Sequence, residues 1–85
     1  MKTTKKTKQE AKAAFERGNA YFEKKEYDLA INDYSEAIRL DPNFVLAYDK
    51  RSSAYMGKKE NYLADKDGEK VIMLDPYFNR KYDIP

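Results

Sequence analysis

Leu40-Asp41-Pro42 returns 34 residues later as Leu74-Asp75-Pro76. At the same offset Ala20-Tyr21 returns as Ala54-Tyr55, Lys24-Lys25-Glu26 as Lys58-Lys59-Glu60, and Leu29-Ala30 as Leu63-Ala64. Residues 11–44 and 45–78 agree at 15 of 34 positions; chance with this composition gives about two or three. One supersecondary unit is therefore laid down twice. Units of this kind stack in one dimension, each covering apolar surface its neighbour leaves open.

The spacing of apolar residues says what the unit is. Ala13, Ala14, Arg17, Ala20, Tyr21 and Lys24 fall at three-and-four intervals, one face of a helix. Tyr27, Ala30, Ile31, Tyr34, Ala37, Ile38 and Leu40 make a second face; Ala47, Tyr48, Arg51, Ala54 and Tyr55 a third; Tyr62, Leu63, Ala64, Val71, Ile72 and Leu74 a fourth. The pattern predicts helices over 9–24, 27–40, 44–57 and 61–74, paired antiparallel through short turns. Small Ala20 and Ala30 are expected to let paired helices approach closely. Pro42 ends the second helix and pushes Asp41 out of helical dihedrals, leaving Asp41 and Asn43 to cap the third. Gly57 suits a left-handed residue at the end of the third helix. Gly68 falls inside the fourth, where glycine costs about 1 kcal/mol relative to alanine; close packing of another helix over the missing side chain is the expected reason, and a hinge the alternative.

Composition removes most chemistry. Within 85 residues there is room for one domain with a limited core. There is no cysteine and no histidine, so disulfides, thiolate nucleophiles, the usual general base and the commonest metal ligands are excluded. Ser52-Ser53 has no base to activate it, and no glycine-rich phosphate loop is present. Most of the 15 acidic residues are expected on solvated helix faces beside lysines. No enzyme, metal or cofactor is expected. The longest uncharged apolar run is 44–48, far short of the roughly 20 residues of a membrane span. No secretory signal is visible, so a cytoplasmic setting is expected. Charge is uneven: residues 1–12 carry net +4 and residues 13–85 net −2. Residues 1–8 read as a basic, solvated arm. Five lysines are a weak electrostatic footprint, so neither nucleic acid nor membrane is an expected partner, and nucleic-acid contact by the arm is the weaker alternative.

Gly18, Tyr21, Ala30, Tyr34, Ala37 and Pro42, then Tyr48, Tyr55, Ala64 and Pro76, together with the 34-residue period, resemble the tetratricopeptide repeat (TPR). Tyr34 to Pro42 is close to the family's commonest wording. Arg51, Ser52 and Gly68 depart from it. The resemblance covers 11–78 and implies an all-α fold: two helix-turn-helix repeats in a short right-handed superhelical stack spanning 9–78, with 79–85 a tail or the start of a third repeat.

The resemblance further implies a concave groove lined by the first helix of each repeat. Here those positions are Lys12, Phe15, Asn19, Phe22 and Glu23, then Leu46, Asp49, Lys50, Ser53 and Met56. Phe15, Phe22 and Met56 are not expected to be needed for packing inside a repeat; they are either contacts for a partner or are covered by the N-terminal arm, the C-terminal tail or a second copy of the chain. Co-chaperone members of the family grip a chaperone's terminal carboxylate with a clamp of Lys and Asn, then Asn, then Lys and Arg. Asn19 matches. Phe15 and Lys50 do not, and Arg80 keeps a charge where Ile84 has none, so chaperone-tail binding is not expected. The implied function is a non-catalytic module that binds a peptide or helix of a partner protein. The alternative is structural self-assembly: Tyr62, Tyr77, Phe78, Tyr82 and Ile84 beside an uncovered last helix could make a homodimer, with helix exchange as one route.

Overall fold

Local chemistry explains where each helix starts and stops in the computed structural model, which describes residues 3–78. The chain folds as α1 (Lys5–Glu23), α2 (Tyr27–Leu40), α3 (Val45–Gly57) and α4 (Asn61–Leu74), with no strand among the described residues. The predicted spans of α2 and α4 coincide with the observed ones, and α3 starts one residue later. α1 starts four residues earlier than predicted, because Thr4 and Thr7 form a capping box. The Thr7 amide donates to the Thr4 hydroxyl at 3.1 Å, and the Thr4 amide to the Thr7 hydroxyl at 2.6 Å. Lys5, Lys6 and Lys8 therefore belong to α1.

Both hairpin turns use the same device. The Glu26 amide donates to the Tyr21 carbonyl at 3.0 Å and the Lys25 amide to the Phe22 carbonyl at 2.9 Å. This is a Schellman closure, with Lys25 in the left-handed region at φ 61°. Lys59, one repeat on, has φ 63°. The left-handed residue after α3 is thus Lys59 and not Gly57, which has helical dihedrals. Gly57 is needed for space: a Cβ there would lie 2.5 Å from the Tyr27 ring.

Between the repeats, Pro42 and Pro76 follow the ends of α2 and α4 as predicted. Asp41 and Asn43 do not cap α3, whose N-cap residue is Phe44 with no side-chain bond. Asp41 instead turns inward on its own loop, accepting the Asn43 amide at 3.4 Å. The Tyr48 hydroxyl donates to the Pro42 carbonyl at 3.1 Å and ties α3 to this turn.

α1 pairs with α2 and α3 with α4; α2 packs against α3, while α1 only touches it. The core is built from small residues. Ala11, Ala14, Ala37 and Ala47 form one cluster; Ala30, Tyr34 and Ala54 form another. The α1 face differs from the predicted one. Ala13, Arg17, Ala20 and Lys24 are exposed, and Ala11, Ala14 and Gly18 are buried. Of the predicted stripe, Ala14 and Tyr21 do pack on the core, whereas Ala13, Arg17, Ala20 and Lys24 match the α3 residues that are turned toward the first repeat. In α3 the matching Ala47 and Ala54 are fully buried against the first repeat.

Candidate interaction surface

The expected inner strip falls on α1 and α3, which touch one another. From α1 come Phe15, Asn19 and Phe22, all half-buried. Phe15 does not await a partner. It packs on both alanine clusters, with its ring 5.7 Å from Tyr34 and 4.9 Å from Phe44. Phe22 packs on the second cluster, 5.7 Å from Tyr27 and edge-on to it. The expectation that these two rings are dispensable for packing is therefore corrected. Alanine-lined helices leave space, and the rings fill it.

Asn19 is also engaged. Its side-chain oxygen accepts the Tyr34 hydroxyl at 2.6 Å. Tyr34 is fully buried, and burial, with the nearby Glu23 charge adding to it, pushes its phenol up to about 12. Lys50 reaches across from α3 and places its ammonium 5.5 Å from the Phe22 ring centre. Leu46 and Met56 stand exposed on α3, at 43% and 61%. Lys12 and Glu23 are exposed, and Asp49 and Ser53 half-buried. Ser53 bonds back to the Asp49 carbonyl. Asp49 also borders a cleft on the outer side of the second repeat, with Ser52, Gly68, Glu69 and Ile72.

That cleft is where the two repeats part company. In the first, Gly18 lets the Tyr34 ring lie against α1; a Cβ on Gly18 would meet it at 2.6 Å. In the second, Ser52 stands for Gly18 and Gly68 for Tyr34. Ser52 donates to the Ala64 carbonyl at 2.9 Å, and nothing lies within 4 Å of a Cβ built on Gly68. The expected packing of another helix over Gly68 is absent among the described residues, which leaves an open cleft of about 450 Å³. Tyr62, Ile72 and Met73 are exposed, as is Tyr77; Phe78 is half-buried. Tyr82 and Ile84 lie outside the described residues.

One buried polar contact runs against expectation. Asp67 is buried, not solvated, and takes two bonds from the Arg51 guanidinium at 2.7 and 2.8 Å. Arg51 also donates to the Ser35 hydroxyl at 2.9 Å, so one side chain ties α3 to α4 and to α2. Its bonds to Asp67 hold the guanidinium above its ordinary range. The identities Arg17/Arg51 and Asp33/Asp67 at offset 34 carried this signal. In the first repeat the same pair is looser, at 3.6 Å and more exposed.

Among the described residues no group of three or more acidic side chains is placed to hold a metal ion, and no helix is long and apolar enough to cross a membrane.

Two stacked helical hairpins with a shared inner strip define a helical-repeat protein, whose surfaces serve protein contacts. The family model of the TPR repeat matches residues 18–59. The described hairpins and this match identify residues 18–59 as tetratricopeptide-repeat sequence within an all-α fold. A stretch of 36 residues is 47% identical to Hsp70-Hsp90 organizing protein 3 of Arabidopsis thaliana, covering 42% of this chain and 6% of that protein. The crystal structure of MamA superposes with a TM-score of 0.73 at 31% identity, over 88% of this chain and 40% of MamA. The chain thus spans less than half of either.

Proposed function

We propose that this chain is a non-catalytic interaction module that receives an extended peptide or a helix of a partner protein along the inner strip of α1 and α3. The observation that carries the reading is that Leu46 and Met56 are large, apolar and exposed on α3. They flank Lys50, whose ammonium already leans over the inner strip. Isolated apolar side chains need no explanation, but two on one face beside a cation suit an apolar segment carrying an acidic group. Phe15 and Phe22 support the strip from beneath, and their outer edges add to it. Asn19 has its oxygen occupied by Tyr34, which leaves its amide N–H groups for a partner carbonyl or carboxylate. The name of the Arabidopsis relative concerns two chaperones. With Phe15 and Lys50 at clamp positions, this chain is better suited to another ligand.

The test is photo-crosslinking of the full chain in its native extract, with the reactive side chain at Leu46, at Met56, or at exposed Asn32 on α2. The expected result is one partner band from both α3 sites, absent from Asn32 and lost with Lys50→Glu. Equal capture from Asn32, or capture indifferent to Lys50→Glu, overturns the reading. Unchanged circular dichroism keeps loss of binding apart from loss of fold.

A further inference from the structure

We infer that a second copy of this chain docks head to tail, its α1 lying on α4 of the first as α3 lies on α2 within each chain. The inference uses faces other than the inner strip and stands or falls apart from it.

Among the described residues, both halves of the internal junction recur unpaired at opposite ends of the stack. The inward half within the chain is Ala47, Arg51 and Ala54 on α3. Ala47 and Ala54 are fully buried against the first repeat, and Arg51 donates to Ser35 on α2. The matching residues of α1 are Ala13, Arg17 and Ala20, identical in kind at all three positions, and all three are exposed. An alanine-arginine-alanine face presented to solvent is the shape of an interface without its other half.

The other half is on α4. Ser35 and Ile38, which meet α3, correspond at offset 34 to Glu69 and Ile72. Ile38 packs on the cluster that contains Ala47, whereas Ile72 is 55% exposed at the edge of the open cleft. Placed by the internal repeat, Arg17 of one copy meets Glu69 of the other where Arg51 meets Ser35. A neutral acceptor inside the chain becomes a carboxylate at its end, and charge complementarity selects the head-to-tail partner. The turns agree as well. Tyr27 occupies the space that only Gly57 allows. Between copies the corresponding pair is Asn61 and Glu23, a shorter side chain facing a longer one. Because the contact is heterologous, it extends the stack and does not close as a symmetric dimer.

Sedimentation velocity of the full chain, from low micromolar to near millimolar, tests this. The wild type is expected to grow in mass with concentration beyond a dimer. Ala20→Arg blocks one end and Ile72→Arg the other, both at exposed positions, with helical circular dichroism as the check on fold. Each variant alone is expected to stay monomeric, and an equimolar mixture to form a one-to-one dimer through the two intact ends. Glu69→Arg is expected to weaken association about tenfold, and Arg17→Glu added to it to restore association. A wild type that stays monomeric overturns the inference and points to residues 79–85 or another protein on α4. A dimer that survives Ala20→Arg overturns it in favour of a symmetric α4 contact, and so does a mixture of the two blocked variants that stays monomeric.

Discussion

The two hairpins share a backbone plan and differ in what fills it. The first is filled by aromatic packing: Tyr34 is fully buried, lies on Gly18, bonds Asn19 and meets the Phe15 ring at a tilt. The second is held by charge: Arg51 and Asp67 form a two-point bridge beside a cleft where the aromatic ring is missing. Glycine and tyrosine in one repeat become serine and glycine in the other, so large and small have not simply traded places. The first repeat is closed by its neighbour, and among the described residues the second keeps an open side.

The sharpest way to break the comparison is Tyr34→Ala. Removing a fully buried ring and orphaning Asn19 is expected to cost about 3–5 kcal/mol, enough to unfold a chain this small in a thermal melt. Trimming exposed Tyr62 to alanine should leave the melt nearly unchanged. The same ring makes the first repeat sensitive to alkali. A phenol whose pKa rises from 10 in the unfolded chain to about 12 when folded gives stability that is whole below pH 10. That stability drains away as the pH climbs toward 12. Melts at pH 9 and 11 with Tyr34→Phe as the control isolate it, since the phenylalanine variant has no proton there to lose.

The charged half is tested by Asp67→Asn against Asp33→Asn. Leaving Arg51 without its buried carboxylate is expected to cost about 3 kcal/mol. Loosening the exposed Arg17–Asp33 pair should cost under about 1 kcal/mol. Equal losses in chemical denaturation would mean that burial does not separate the two repeats.

The glycines separate the two repeats by the sign of the effect. Gly68→Ala has open space and regular helical backbone, so it is expected to stabilise by about 1 kcal/mol. Gly18→Ala puts a methyl into the Tyr34 ring and is expected to destabilise by about 1–3 kcal/mol. Opposite signs for the same substitution in one denaturant series would confirm that the cleft at Gly68 is empty and the one at Gly18 is full.

Much of the fold was legible because it is local. Helix periodicity, the prolines after Asp41 and Asp75, and the polar turns are written in neighbouring residues. The spans of α2 and α4 could therefore be read to the residue. The site was legible only in part. Leu46 and Met56 are as exposed as their positions suggest. Phe15 and Phe22 were misjudged because their neighbours Phe44, Tyr34 and Tyr27 reach them only once the hairpins close. Single-sequence patterns show that a residue is apolar, not which of two packed faces it fills.

By itself, the sequence determined the unit, its number of copies and its helical turns, since backbone propensity and side-chain spacing act over three or four residues. Only the tertiary structure decided that Ala13 and Ala20 face solvent while Ala47 and Ala54 are buried. It also decided that Arg51 joins three helices, and that Gly68 leaves a cleft. Identical residues meet different fates because burial is a property of the neighbour, and among the described residues no helix packs on the exposed faces of α1 and α4 as α2 packs on α3.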